Sequence, residues 1–322
     1  MSHEPIRSRA ASQADRFRST FSPGNYDKSE AAAKLQEIIA ESDTGENSRV
    51  HQLHVDKVKS ASVKRISRPE CWKLYEIVND DPTEIVFRIQ GIIQSKELPP
   101  VGRNANRSTR ARKYLRQQVT LFGFEAPSFQ AFVDSMEAMY FKYGDAIAEG
   151  SLELWNPPTD DKGIGFDLVN RYFTHISHSG GEPAIPFHES VDPCDVLKQM
   201  GGGVYIHTQD NHVDYIERIS TGSANAYQYR IISPATFKVG DIVECALVAR
   251  CYPTGNDTVK LSLTLKALVL IDRSVRDKAC ILRMRNRIKP KTSTLTLKRP
   301  AMYDIDEEVE ASEKAMSRMR IE

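Results

Sequence analysis

The chain of 322 residues contains no apolar run of about 18 residues, which excludes an ordinary transmembrane helix. Its amino-terminal stretch lacks the apolar segment of a secretory signal. Arg7, Arg9, Arg16 and Arg18 are spaced among serines, but Glu4, Asp15 and Asp27 argue against an organellar transit peptide. Cysteine is scarce: the five residues at 71, 194, 245, 251 and 280 form no Cys-x-x-Cys pair, so a reducing compartment, nuclear or cytoplasmic, is expected. Net charge is nearly absent too. With 44 Lys and Arg against 43 Asp and Glu the balance is +1, so any attraction to a polyanion must come from local clusters and not from the global field.

Catalytic signatures are also missing. Gly201-Gly202-Gly203 leads into a strand and lacks the lysine and following helix of a phosphate-binding loop, so it reads as a flexible turn. His207, Asp210, His212 and Asp214 alternate along a turn and a strand, without a nucleophile or oxyanion motif to complete an acid–base pair. An enzyme built from the polar residues between 175 and 217 is therefore the third reading, behind two binding ones. His175 and His178 stand at helical spacing, followed by His188, Asp192 and Cys194, yet only one pair is close where a structural zinc site needs a closed set of four ligands. No metal and no cofactor is expected.

What the chain does contain is alternation. Val259, Leu261, Leu263, Leu265, Ala267, Val269 and Ile271 fall at period two, opposite Lys260, Ser262, Thr264 and Lys266. Val243, Cys245, Leu247, Ala249 and Cys251 answer from the preceding segment, and Gly255-Asn256-Asp257 suits the hairpin between them. Further strands are expected at Val204 to Thr208, Val213 to Ile219 and Tyr227 to Ile232. The spacing suits a small antiparallel barrel or sandwich over 201–272, with an OB-like barrel of five strands as one form.

Upstream the periodicity is read as helical. Residues 1–65 form a polar arm expected to be disordered, apart from one short helix from Ser29 to Glu41 capped by Ser29. In the helical domain 66–150, Asp81-Pro82 opens a helix carrying Ile85, Val86, Ile89, Ile92 and Ile93; Asn106 or Ser108 caps a second to about Leu121; Ser128 caps a third with Phe129, Phe132, Val133, Met136, Met139 and Tyr140. Residues 151–200 are a loop-rich connector with one helix from Phe166 to Ile176, and 273–322 form a basic, then mixed-charge tail. The fold class expected is α+β, with disordered termini.

The stretch Gly203-Val-Tyr-Ile-His-Thr-Gln-Asp-Asn-His-Val-Asp-Tyr215, with Pro234-Ala-Thr-Phe-Lys-Val-Gly-Asp-Ile-Val-Glu244 and the long hairpin, resembles an uncharacterised, lineage-expanded family of proteins from mushroom-forming fungi. The resemblance covers residues 190 to 275. It implies a eukaryotic intracellular β module and brings no activity, cofactor or site residue with it.

Two basic clusters carry the functional expectation. Arg103, Arg107, Arg110, Arg112, Lys113 and Arg116 contain no acidic residue between first and last, and a helix would stack Arg112 and Arg116 at i, i+4 to meet phosphates. Tyr227 and Tyr229 share a strand face and, with Tyr205 and Tyr215 on neighbouring strands, would offer bases a stacking platform. Arg283, Arg285, Arg287, Lys289 and Lys291 read as a nuclear-import or polyanion-binding segment. The reading is a non-catalytic nucleic-acid-binding protein that does not enter membranes. The alternative is a protein-interaction module that pairs through a β edge.

Overall fold

The computed structural model describes residues 19–20, 25–42, 50–67, 69–103, 109–161, 163–221, 227–255 and 257–288. The chain divides into two units, 1–283 and 284–322, and of the second only the end of one helix is described. The expected disorder of the arm and tail falls mainly on residues outside this set.

Six helices occur among the described residues: α1 Lys28–Ser42, α2 Val55–Ser60, α3 Thr109–Tyr114, α4 Pro127–Ala146, α5 Val196–Met200 and α6 Ser274–Ile288. The principal strands are β1 Ser62–Ser67, β2 Glu70–Val78, β3 Asp81–Glu84, β4 Phe87–Glu97, β5 Arg116–Phe122, β6 Phe166–Arg171, β7 Asp214–Ser220, β8 Tyr227–Ile231, β9 Ile242–Pro253 and β10 Val259–Asp272. They belong to one twelve-stranded sheet in the order β8-β7-β10-β6-β5-β4-β9-β2-β1, with β3 against β2 and two-residue strands Ser19–Thr20 and His51–Gln52 against β4. Because β9 also pairs with β10, the strands β4, β5, β6, β10 and β9 close a ring. The pairs β6–β10 and β7–β10 are parallel, so the sheet is mixed.

This sheet corrects the expected architecture. There is no small antiparallel barrel or sandwich confined to 201–272, and no OB-like module: strands from well before residue 201, the principal ones beginning at Ser62, enter the same mixed sheet, and helices reach from Lys28 to Ile288. The helix expected from Asp81-Pro82 is instead two strands. Asn79 and Asp80 take φ of 52° and 66°, the conformation of a two-residue hairpin loop, and thereby turn β2 into β3. The isoleucines of β4 mimic helical spacing because Ile89, Ile92 and Ile93 are all buried; a bulge between Ile93 and Ser95 breaks the simple alternation. Phe166 to Arg171 is likewise a strand, with Phe166, Leu168 and Asn170 facing inward.

Helix α4 lies where its apolar stripe placed it, but Ala126 is its cap and Pro127 its first residue, not Ser128. Phe129 packs 5.2 Å from Phe166, and a Cβ at Gly123 would sit 2.3 Å from the Phe129 ring, so this close approach requires glycine. Helix α1 is capped by Asp27, whose Oδ1 accepts from the amides of Ser29 and Glu30 at 3.0 and 2.9 Å. Its Leu35, Ile38 and Ile39 are buried in the common core.

The β9–β10 hairpin occupies the two segments marked by alternation, with two shifts of register. Val259, Leu261, Leu263 and Leu265 face the core, but Leu247 pairs with Leu265 while Ala246 pairs with Ala267, which leaves Lys266 as an extra residue. Beyond this bulge Leu268 and Leu270 take the inward positions opposite Cys245 and Val243. Ala267 and Val269 therefore belong to the outer face, and the second shift, between Ile242 and Val243, leaves Ile271 without a cross-strand partner in β9.

Candidate nucleic-acid interface

Strand register places a polar seam on the outer face across β5, β6, β10, β9 and β2. Arg116 pairs with Arg171, and Arg250 pairs with Lys73 and Ser262. Lys266 lies between these pairs on β10. The side chains opposite in phase, such as Leu168, Leu263 and Ala249, fill the core.

On the β10–β9–β2 side each cation has a carboxylate partner. Arg250, whose side chain is 6% exposed, donates from Nε and Nη2 to the two Glu84 oxygens at 2.6 and 2.8 Å. Its Nη1 donates to Asp210 at 2.6 Å, Lys266 donates to the other Asp210 oxygen at 2.6 Å, and Lys73 reaches Glu84 at 3.1 Å. Burial pushes both carboxyls up, but the Arg250 hydrogen bonds, with the charges of Lys266 at Asp210 and Lys73 at Glu84, hold both below the ordinary carboxylate range. Burial holds the Lys266 ammonium below its usual value. Asn170 Nδ2 donates to the carbonyls of Asp210 and Leu265 at 3.1 and 2.9 Å, which fixes the turn Gln209–Asn211 over the sheet.

The segment that carries this turn is held by other buried polar groups. Asn211 Oδ1 accepts from the Thr208 amide at 3.1 Å, Gln117 Nε2 donates to the Asn211 carbonyl at 3.1 Å, and Tyr215 donates to Gln117 at 2.7 Å. His207 stacks on Phe187 with ring centroids 4.0 Å apart and bonds through Nδ1 to the Tyr172 carbonyl at 2.9 Å. Burial lowers its pKa, which favours the neutral ring. His212 is 3.0 Å from Asp214. Each of the four polar residues weighed for catalysis thus has a local structural partner.

Protein families and curated proteins offer no match to this chain. The fungal origin expected from residues 190 to 275 is corrected accordingly, and neither a nucleic-acid-binding role nor a nuclear location draws support from these comparisons. Surface chemistry is what remains.

On the β5–β6 side of the seam the cations have no such partners. Arg116 and Arg171 are both exposed, and neither makes a hydrogen bond or ion pair among the described residues. Arg112 and Lys113 precede them on α3, and the buried Arg112 Nε has no acceptor. Tyr114 is 62% exposed, with the Lys113 ammonium 5.5 Å from its ring. Helix α3 ends at Tyr114, so Arg116 is on a strand and the expected Arg112–Arg116 helical stack does not form. Arg103 is exposed and donates from Nη2 to Cys194 Sγ at 3.5 Å. Arg107 and the side chain of Arg110 lie outside the described residues.

The tyrosines of the expected platform are elsewhere. Tyr227 and Tyr229 are on β8, separated from β5 by β7, β10 and β6 in the sheet order. Arg218 stacks over Tyr227 at 4.3 Å, Tyr215 is buried, and Tyr205 packs edge-on against His175 at 5.3 Å. Arg283 and Arg285 are exposed on α6, whereas the side chain of Arg287 and all of Lys289 and Lys291 fall outside the described residues. His175 and His178 have ring centroids 5.8 Å apart, and among the described residues no three His, Cys, Asp or Glu side chains are grouped to hold a metal ion. Arg171 carries no local signal as a site residue, because the spacing from Phe166 to Ile176 suggests a helix where the chain forms β6. Only strand pairing sets it beside Arg116.

Proposed function

We propose that the protein binds nucleic acid without catalysis, through the phosphate backbone, on the surface formed by Arg103, Arg112, Lys113, Arg116 and Arg171. The observation that carries this reading is the direct pairing of Arg116 with Arg171, both exposed and without a counter-charge among the described residues. Like charges directly opposite one another on antiparallel strands oppose folding by a few tenths of a kcal/mol to about 1 kcal/mol. A phosphate placed between them removes that penalty. On the same outer face Lys266, Arg250 and Lys73 each pair with Asp210 or Glu84, so among the described residues the cations without a partner carboxylate lie at the other end of the seam. Tyr114 beside Lys113 supplies an exposed ring on which an unpaired base can stack.

The test is the salt dependence of binding to a fluorescent oligonucleotide, read by anisotropy. Each phosphate contact releases condensed counterions, so log affinity falls linearly with log salt, and Arg116→Ala with Arg171→Ala shallows the slope by about 2. Base preference changes little. Absence of salt-sensitive binding to any oligonucleotide at low ionic strength overturns the proposal.

A further inference from the structure

Strand β8 ends the sheet, and among the described residues nothing pairs with its outer edge. Tyr229 and Ile231 on it are 63% and 66% exposed. Edge strands of this kind are ordinarily blunted by proline, by a protruding charge or by a covering element. The five-residue segment contains no proline, and its one charge, Arg230, points to the opposite face, where it pairs with Glu217, which also accepts from Arg273 at 2.8 Å.

The apolar character of this edge is continuous with the sheet behind it. The bulge at Lys266 turns Val269 outward, and register then aligns Val269, Ile216 and Ile231 in one row across β10, β7 and β8. In the adjoining row Arg218 stands opposite Tyr229, and Ser220 opposite Tyr227 follows. The row beginning at Val269, which is buried, thus runs out to an exposed isoleucine at the open edge.

We propose that this edge pairs antiparallel with β8 of a second copy of the chain, with Tyr229 on the two-fold axis. That register is self-complementary: Tyr227 faces the second copy's Ile231, Tyr229 faces Tyr229, and Gln228 faces Arg230, so every apolar side chain meets an apolar one and no two arginines are opposed. Aromatic pairs and aromatic–β-branched pairs are favourable cross-strand neighbours. Two-fold symmetry uses the same patch on both copies and closes after two, which also consumes the edge. Five residues per strand make a small interface, so the dimer is a weak one that forms in the micromolar range or above.

Sedimentation of the full chain over the micromolar range tests the proposal. Expected is a concentration-dependent monomer–dimer equilibrium, which Tyr229→Pro, whose amide faces the open edge, and Tyr229→Lys both shift to monomer while the melting temperature of the exposed Tyr229→Lys variant stays close to that of the parent. Register is tested separately by oxidation in a Cys194→Ser background: Tyr229→Cys cross-links to a dimer and Gln228→Cys does not. A chain that remains monomeric throughout with no cross-link at Tyr229→Cys overturns the proposal. So does a dimer unaffected by both edge variants, since it would use another face.

Discussion

Arg250 holds Glu84 in a two-pronged hydrogen bond, Nε and Nη2 each to one carboxylate oxygen, at 2.6 and 2.8 Å. The pair joins β9 to the end of β3, and through Asp210 the same guanidinium fastens the Gln209–Asn211 turn to the sheet. Charge placed under this much protein is costly to uncover because its partners lose compensation and not merely a contact. The network therefore acts as a clamp over the outer face, and it accounts for the seam's two acidic groups.

Replacing Arg250 by methionine, close to it in volume, should destabilise the protein by about 3 to 5 kcal/mol, since Glu84 and Asp210 are left with only lysine partners. Chemical denaturation measures this. A change below about 1 kcal/mol would show that water reaches both carboxylates as it would on an open surface.

Acid titration should show two opposed contributions. Asp210 and Glu84 titrate below their unfolded values in the folded state, so the stability they supply is complete above about pH 4 to 5 and is lost as pH falls further. Asp241 behaves in reverse. It is fully buried with Arg276 Nη1 2.7 Å from Oδ1 but outside hydrogen-bonding geometry, and burial raises its pKa to about 6. The folded state thus binds a proton that the unfolded state does not between about pH 6 and 4, and lowering the pH from 7 to 5 should add about 1 kcal/mol through this group. Asp241→Asn should abolish that gain. An unchanged pH 5 to pH 7 difference in unfolding free energy in the variant would refute the assignment.

Leu263→Asp places a carboxylate on the inner face of β10, where Leu263 pairs with Leu168 and so joins β6 to β10. Loss of the leucine's burial costs about 1.5 to 3 kcal/mol before the unpaired charge is counted. The expected outcome is loss of cooperative melting. Melting at the parent temperature would mean that this face is not enclosed.

Tyr114→Ala should weaken single-strand binding by about 1 to 3 kcal/mol and leave duplex binding nearly unchanged, because a paired base offers no free face for stacking. Tyr227→Ala should have little effect on either, as its ring is already covered by Arg218 and lies across the sheet from the basic end of the seam. Equal losses for Tyr114→Ala on both substrates would assign the ring a role in packing.

Period-two patterning was legible in β7, β8, β9 and β10, where polar and apolar residues alternate with few breaks, and the 3.6-residue stripe was legible in α4. It failed in β4. A strand buried on both faces loses alternation, and its run of isoleucines then fits a helix as well as a strand. It also failed at β3, where the order Asn79-Asp80-Asp81-Pro82 carries both a hairpin signal and a helix-start signal. Positive φ at Asn79 and Asp80 shows which one the chain uses.

The sequence by itself determined that a basic segment runs from Arg103 to Arg116, that β9 and β10 form a hairpin, and that Cys245 and Cys251 are core residues, because each depends only on neighbours within a few positions. Tertiary structure alone decided which charges are spent and which are left over. Arg250 and Glu84 lie 166 residues apart and cancel, Arg116 and Arg171 meet only because β5 pairs with β6, and the extra residue at Lys266 turns Val269 outward. Such outcomes depend on strand register, and shifting that register by one residue exchanges the two faces of a strand while leaving its sequence unchanged.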